Sequence, residues 1–305
     1  MPVNRAPGTR VRRGLLLSIL LLAASVFMAG GTASASPTPV GLGAATSFAV
    51  HAGASNPGIA NSVAGTKITG DAGLPDVFSH ITGLVCANIT GTIFATDGLL
   101  NGPAPCSATD AGTTVASDAR TAFNHTSALS GPTLLPTDLS TVPAQTLVAG
   151  LYTFGGAATN LSTTLNLDAQ GDPNAVWIFQ ASSTLITSSG SSITFVNAPA
   201  GSNLACNVFW TVGSSATISG AGANSTFVGT ILASASITVN GPASGTATLV
   251  TGRLLAANQA SGAGAVTIPG LATIIRPAGC STLPAGTGGT PRVVTPVTGA
   301  PSLTG

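Results

Sequence analysis

"VFWTVGSSATISGAGANSTFVGTILASASITV", residues 208–239, decides the fold. It holds three short apolar runs, "VFWTV" (208–212), "TIS" (217–219) and "STFV" (225–228), and then the first two kinds again as "TILAS" (230–234) and "SITV" (236–239). Each run is rich in Val, Ile, Thr and Phe, which suit a pleated, half-buried surface. Each ends at Gly, Ser or Asn, the residues that turn a chain. A three-part order that restarts so soon is the mark of a stacked repeat.

Outward from that stretch the same order recurs. The first kind of run is also found as "VWIFQ" (176–180) and "RLLAA" (253–257), with "LYTF" (151–154) as an earlier copy. The second kind includes "TLIT" (184–187) and "AVTI" (265–268), and the third "SITFV" (192–196) and "TATLV" (246–250). The period wanders where loops such as 197–206 are inserted. Three strands per turn with no helix between them predict an all-β, irregular triangular β-solenoid. Alternation along each strand turns Leu185, Ile218, Ile237, Val239, Val266 and Ile268 inward, as one long apolar column. A β-sandwich also has short strands and many turns, but it does not explain the recurring order.

One segment breaks the pattern. In 108–129 strand alternation lapses, and Val115, Ala119, Ala122 and Phe123 fall at helical spacing. Ser107 or Thr109 can cap its start and Gly131-Pro132 ends it. About 20 helical residues span roughly 30 Å, the height of some six rungs, so one long α-helix is expected to lie along a wall of the solenoid.

The ends are read separately. Arg5, Arg10, Arg12 and Arg13 precede an apolar run at 15–29, and Ala33-Ser34-Ala35 is a small-x-small cleavage pattern. Residues 1–35 are therefore expected to be a signal peptide, cut before Ser36, and the protein to be secreted to the extracellular space. No later stretch is apolar enough to span a bilayer. The solenoid domain is set at 36–280, and 281–305, rich in Thr, Pro and Gly, at a flexible tail. Past residue 35, Lys67, Arg120, Arg253, Arg276 and Arg292 stand against eight Asp and no Glu, a net charge of −3. Charged residues make up only 6% of the chain. Nucleic acid and acidic membrane surfaces, which need a dense basic patch, are excluded on that ground. Export makes disulfides the expected state of the four cysteines. Their spacing allows three pairings and does not choose among them. We favour Cys86–Cys106, which closes a short loop, leaving Cys206–Cys280.

No catalytic constellation stands out. Asp168, Asp172 and Asn174 in "DAQGDPN" (168–174) have the types of a calcium loop or a carboxylate pair. Asp and Asn that bond their own backbone at a Gly-Asp-Pro corner account for them as a turn. His51, His80 and His125 lack metal-ligand spacing, and no nucleophile elbow or phosphate loop is present. We expect no enzyme activity, no cofactor and a monomer. A polysaccharide-acting β-helix enzyme, or an adhesin-like surface module, is the alternative class.

The order "LGAATSFAVHAG" (42–53), "ITGDAGL" (68–74), "ITGTIFATDG" (89–98), the helix, "LVAGLYTF" (147–154), "TLNLDAQGDPNAVWIFQASSTL" (164–185), "CNVFWTVGSSATI" (206–218), "STFVGTILASASITVN" (225–240) and "GRLLAANQASGAGAVTI" (252–268) resembles the microbial ice-binding-like family, the DUF3494 type. The resemblance covers about 41–275. It implies a secreted, irregular β-solenoid with one helix beside it, whose N-terminal strands pack beside its C-terminal rungs. That would explain the likeness of "GTIFA" (91–95) to "GTILA" (229–233). It also implies ice as the partner, bound through one flat, sparsely charged face.

Alternation then names the face. If Leu185, Ile218, Ile237 and Val266 point in, the second strand of each turn shows outward Thr184, Ile186 and Ser188, then Thr217 and Ser219, then Ser236, Thr238 and Asn240, then Ala265 and Thr267. None is charged. Side chains about 6.7 Å apart along a strand and about 4.8 Å apart between rungs form a net of methyls and hydroxyls, which can hold ordered water. Ile186 and Ala265 interrupt a clean threonine array.

Overall fold

Parallel pairing between successive copies of each run builds three faces. The computed structural model describes Met1 and residues 37–53, 56–97, 106–109, 112–139, 145–220, 225–256 and 264–289. The faces all belong to the compact unit 34–305. The first face runs, in spatial order, Ser107–Thr109, Ile93–Ala95, Asp71–Gly73, Phe48–His51, Thr248–Ala256, Thr226–Ala233, Val208–Val212, Trp177–Ala181, Gly150–Phe154 and Thr133–Leu135. The second runs Ala158–Leu161, Thr184–Thr187, Ala216–Ser219, Ile237–Asn240, Val266–Ile268, Ile59–Asn61 and Ile81–Thr82. The third takes Gln145–Val148, Thr164–Asp168 and Ser192–Val196, then the leading residues of the two long strands, then Ala272–Ile275 and Lys67–Thr69. The repeat read from residues 208–239 is thus the β-solenoid itself.

The long strands Thr226–Ala233 and Thr248–Ala256 pass from the third face to the first without a break. Gly229 and Gly252 pair at that corner. Gly229 has φ +119°, a backbone that side chains resist, and a Cβ on Gly252 would run into the Gly229 carbonyl oxygen.

Inside, the first face contributes one column, Tyr152, Phe179, Trp210, Ile231, Leu254 and Val50, each paired with the next. Phe179 and Trp210 stack with ring centroids 4.0 Å apart. The two indole N–H groups donate across the interior, Trp177 to the Leu147 carbonyl and Trp210 to the Val228 carbonyl, each at 3.0 Å. Tyr152 donates to the Val148 carbonyl at 2.6 Å, and burial pushes its phenol up to about 12. Leu185, Ile218, Ile237, Val239, Val266 and Ile268 all point inward. They form two columns rather than one: Leu185 pairs with Ala216, then Ile237, Val266, Ile59 and Ile81, while Ile218 pairs with Val239. The alternation is right, and the register is shifted by two residues, which leaves every side chain on its own side.

The N-terminal strands continue the stack beyond the last C-terminal rung. Phe48–His51 pairs with Thr248–Ala256, Ile59–Asn61 with Val266–Ile268, and Lys67–Thr69 with Ala272–Ile275. Ile93 and Ala95 of "GTIFA" point inward on the first face, as Ile231 and Ala233 of "GTILA" do. Cys86–Cys106 and Cys206–Cys280 are the disulfides. The first staples the outermost N-terminal rungs, and the second ties the inserted loop before Val208–Val212 to the chain beyond the last third-face strand.

The helix, Gly112–Ala128, starts later than the 108–129 expected. Ser107, read as a possible cap, is buried in the strand Ser107–Thr109, because its backbone adds an edge to Ile93–Ala95. Val115, Ala119, Ala122 and Phe123 pack on the outer side of the first face, against Leu151, Ile178, Phe209, Leu232 and Leu255. Gln180 Nε2 donates to the carbonyls of Thr126 and Leu129 at 2.8 and 2.9 Å, satisfying acceptors that a helix end leaves open. Beside the helix, residues 283–289, assigned by composition to a flexible tail, are hydrogen-bonded: Gly41 and Gly43 donate to the carbonyls of Thr287 and Leu283, and Gly289 to that of Thr38. Backbone pairing of this kind leaves no mark in composition.

Candidate functional site

The helix and the segments beside it cover the first face, so the second and third faces carry the exposed regular surface. On the second face every residue named from alternation points away from the core. Thr184, Thr217, Ser219, Ser236, Thr238, Asn240, Ala265 and Thr267 are half-buried, and Ile186 and Ser188 are exposed. Half-burial is what dense lateral packing of short side chains gives.

Register turns these residues into rows across the rungs. Asn160, Ile186, Thr217, Thr238, Thr267, Ala60 and Thr82 are successive partners. A flanking row includes Ala158 paired with Thr184, and the Ser215 and Ser236 hydroxyls 3.0 Å apart. Ser219 pairs with Asn240 on the other side. Sequence reasoning missed both ends of the central row. Asn160 lies in the strand before the first clear copy. Ala60 and Thr82 belong to strands of three and two residues whose place depends on the remote N-terminal stacking.

The second-face strands carry no Asp, Lys or Arg. Charge begins just beyond them: at one end the exposed Asp138 is the bridge partner of Asn160, and at the other Asp76 lies 2.9 Å from His80 in the turn before Ile81–Thr82. The third face differs: Asp168 and Lys67 stand on it. Asp168 accepts from the Gln170 amide and the Asn197 side chain at 2.9 and 2.8 Å, and Asp172 from the Asn174 amide at 2.8 Å. Both carboxylates therefore build the corner, as the turn reading of "DAQGDPN" requires. Among the described residues no three His, Cys, Asp or Glu gather as a metal site, and no helix is long and apolar enough to cross a membrane.

A three-sided parallel β-solenoid with one flanking helix and one uncharged, hydroxyl- and methyl-bearing face defines a narrow class. The ice-binding-like family matches residues 54–269, and the chain belongs to that family. It is 33% identical over 219 residues to an ice-binding protein of Flavobacterium frigoris (strain PS1), covering 71% of each chain. It is 37% identical over 203 residues to an ice-binding protein of Nostoc sp. (strain HG1), covering 65% of this chain and 63% of that one. The solved DUF3494 domain of a Shewanella frigidimarina ice-binding protein superposes with a TM-score of 0.61 at 26% identity, covering 79% of this chain and 99% of that one.

Proposed function

We propose that this chain is an exported, monomeric ice-binding protein that adsorbs to ice through the second face and so inhibits ice growth or recrystallisation. One observation carries the assignment to that face: the in-register row from Asn160 to Thr82, uncharged between Asp138 at its far end and the Asp76 turn, and, Ile186 apart, made of small side chains. Membership of the ice-binding-like family, whose relatives are named for that activity, supports the partner. The ten residues read from sequence, Thr184 to Thr267, form the centre of the contact, and Asn160, Ala60 and Thr82 extend it at either end.

The mechanism is adsorption. Rungs about 4.8 Å apart and outward residues about 6.7 Å apart along a strand set a fixed two-dimensional spacing. Methyls in that array order the water beside them, and hydroxyls anchor it. Threonine is stiff at χ1, so little side-chain freedom is lost on contact. A charge would hold its own hydration shell and oppose the crystalline arrangement, which is the physical value of a face without one. No bond is made or broken, and no cofactor takes part. The test is an ice recrystallisation inhibition assay on the chain beginning at Ser36. Growth inhibition at micromolar protein supports the proposal, and ice that coarsens as in buffer alone overturns it.

A further inference from the structure

A concavity of about 490 Å³ lies away from the second face, where two distant parts of the chain meet. Thr46 and Ser47 come from the short 3-10 segment Gly43–Ser47, Arg276 follows the third-face strand Ala272–Ile275, and Gly279 and Thr282 lie beyond it. Three hydroxyl-bearing residues and one guanidinium thus face one space.

Its polar groups are incompletely used. Arg276 Nε is buried and has no hydrogen-bond partner, and neither has the buried Oγ1 of Thr46. The bond of Arg276 recorded at the head of the side chain is long, from Nη1 to the Pro277 carbonyl at 3.5 Å. On the inner side of Thr46 lies a second guanidinium. Arg253 is wholly buried, and donates from Nε and Nη2 to the Thr46 carbonyl at 3.1 and 3.0 Å and from Nη1 to Thr230 Oγ1 at 3.3 Å. Burial, and then the charge of Arg276, lower Arg253 to about 10. Among the described residues no ion pair is seen at either arginine. The Asp118 carboxylate, at the rim, is engaged with the Ala44 amide at 2.7 Å.

Two neighbouring guanidinium groups, one of them lining a concave space with hydroxyls around it, match a planar or tetrahedral oxyanion. We propose that this pocket binds a small tetrahedral oxyanion, inorganic phosphate or sulfate, held by Arg276 with the hydroxyls of Ser47 and Thr282. The bound anion offsets the repulsion between the arginines. It also ties the segment over the first face to the chain beyond the last rung, next to the Cys206–Cys280 bridge.

The test is a calorimetric titration of the chain from Ser36 with sodium phosphate, then sodium sulfate, against sodium chloride at matched ionic strength. Thermal unfolding is followed in parallel. A saturable heat is expected with both oxyanions, with Tm raised by about 3 °C at about ten times the dissociation constant. Arg276→Gln should abolish the heat and the rise. In the parent protein, the Arg276 Nε–H resonance should shift saturably with phosphate and stay put with chloride, a readout that needs no variant to fold. A Tm that climbs without saturating, equally in parent and Arg276→Gln, is general salt exclusion from the surface and overturns the proposal. So does an Arg276 resonance that ignores phosphate.

Discussion

Thr238→Tyr puts a bulky ring in the middle of the proposed ice contact. Thr238 is flanked in register by Thr217 and Thr267, and the row continues for two or more rungs on each side. A tyrosine ring reaches roughly 4 Å further from the backbone than a threonine methyl, about three bond lengths. Van der Waals contact is lost beyond about 4.5 Å between heavy atoms, so a rigid plane propped up by 4 Å misses its own rung and the rungs on either side, about 4.8 Å away. About six outward side chains lose contact. At roughly 0.8 kcal/mol for each methyl-sized group the loss comes to about 5 kcal/mol, enough to abolish activity at concentrations where the parent acts. Thr238 points to solvent, so stability should change by only about 0.5 kcal/mol. Thr194→Tyr is the control: Thr194 is exposed on the third face, where its hydroxyl bonds Asn166. Recrystallisation inhibition is measured on both, with circular dichroism to confirm folding. A folded Thr238→Tyr with parental activity refutes the choice of face, most plainly if Thr194→Tyr is the variant that fails.

Tyr152 is the single tyrosine of the chain, so phenolate absorbance reports it alone. Its folded value, about 12 against an ordinary 10 because burial disfavours the phenolate, makes the native state hold its proton longer than the unfolded chain, so stability falls as pH rises from 10 through 12. Arg253, shifted downward, acts in the opposite sense on stability at high pH but not on this signal. A native protein that ionises at pH 10 would contradict the buried phenol. Gln180→Ala removes both bonds to the end of the helix and should cost about 2 kcal/mol, or roughly 6 °C in Tm, with ice activity of the folded protein unchanged; an unaltered Tm refutes the anchor. Cys206→Ser with Cys280→Ser should lower stability by about 3 kcal/mol, and thiol titration of the unfolded, unreduced parent should find no free cysteine.

The second face was legible because strand parity survives errors of register. Leu185 pairs with Ala216 rather than Ile218, yet a slip of two residues changes no side chain's direction. The helix was legible from Val115, Ala119, Ala122 and Phe123, which meet the first face as their spacing requires. What stayed hidden depends on partners remote in sequence. Ser107–Thr109 reads equally well as a helix start until Ile93–Ala95 is beside it. Ile59–Asn61 and Ile81–Thr82 are too short to show a pattern, and only the rung at Val266–Ile268 gives them a place. Residues 283–289 pair through backbone groups alone with residues 38–43.

Scarcity of charge does not by itself explain uncharged second-face strands, which end at Asp138 beyond Asn160, because many of the charges the protein keeps have a structural place. Asp168 and Asp172 hold the corner before Trp177–Ala181, and Asp118 fixes the Ala44 amide over the first face. Arg253 binds the Thr46 carbonyl at the same seam, and Lys67 reaches the Ala87 carbonyl on the third face. Asp76 receives the Val77 amide and contacts His80 in a turn. Each of these sits at a corner, a seam or the third face, where a polar bond closes an irregular stretch of backbone. The second-face strands close their own backbone bonds rung to rung and have no such need. A solenoid uses charge where its regularity fails, so its most regular exposed face is left to methyls, hydroxyls and amides, the surface chemistry that adsorption to a crystal of water demands.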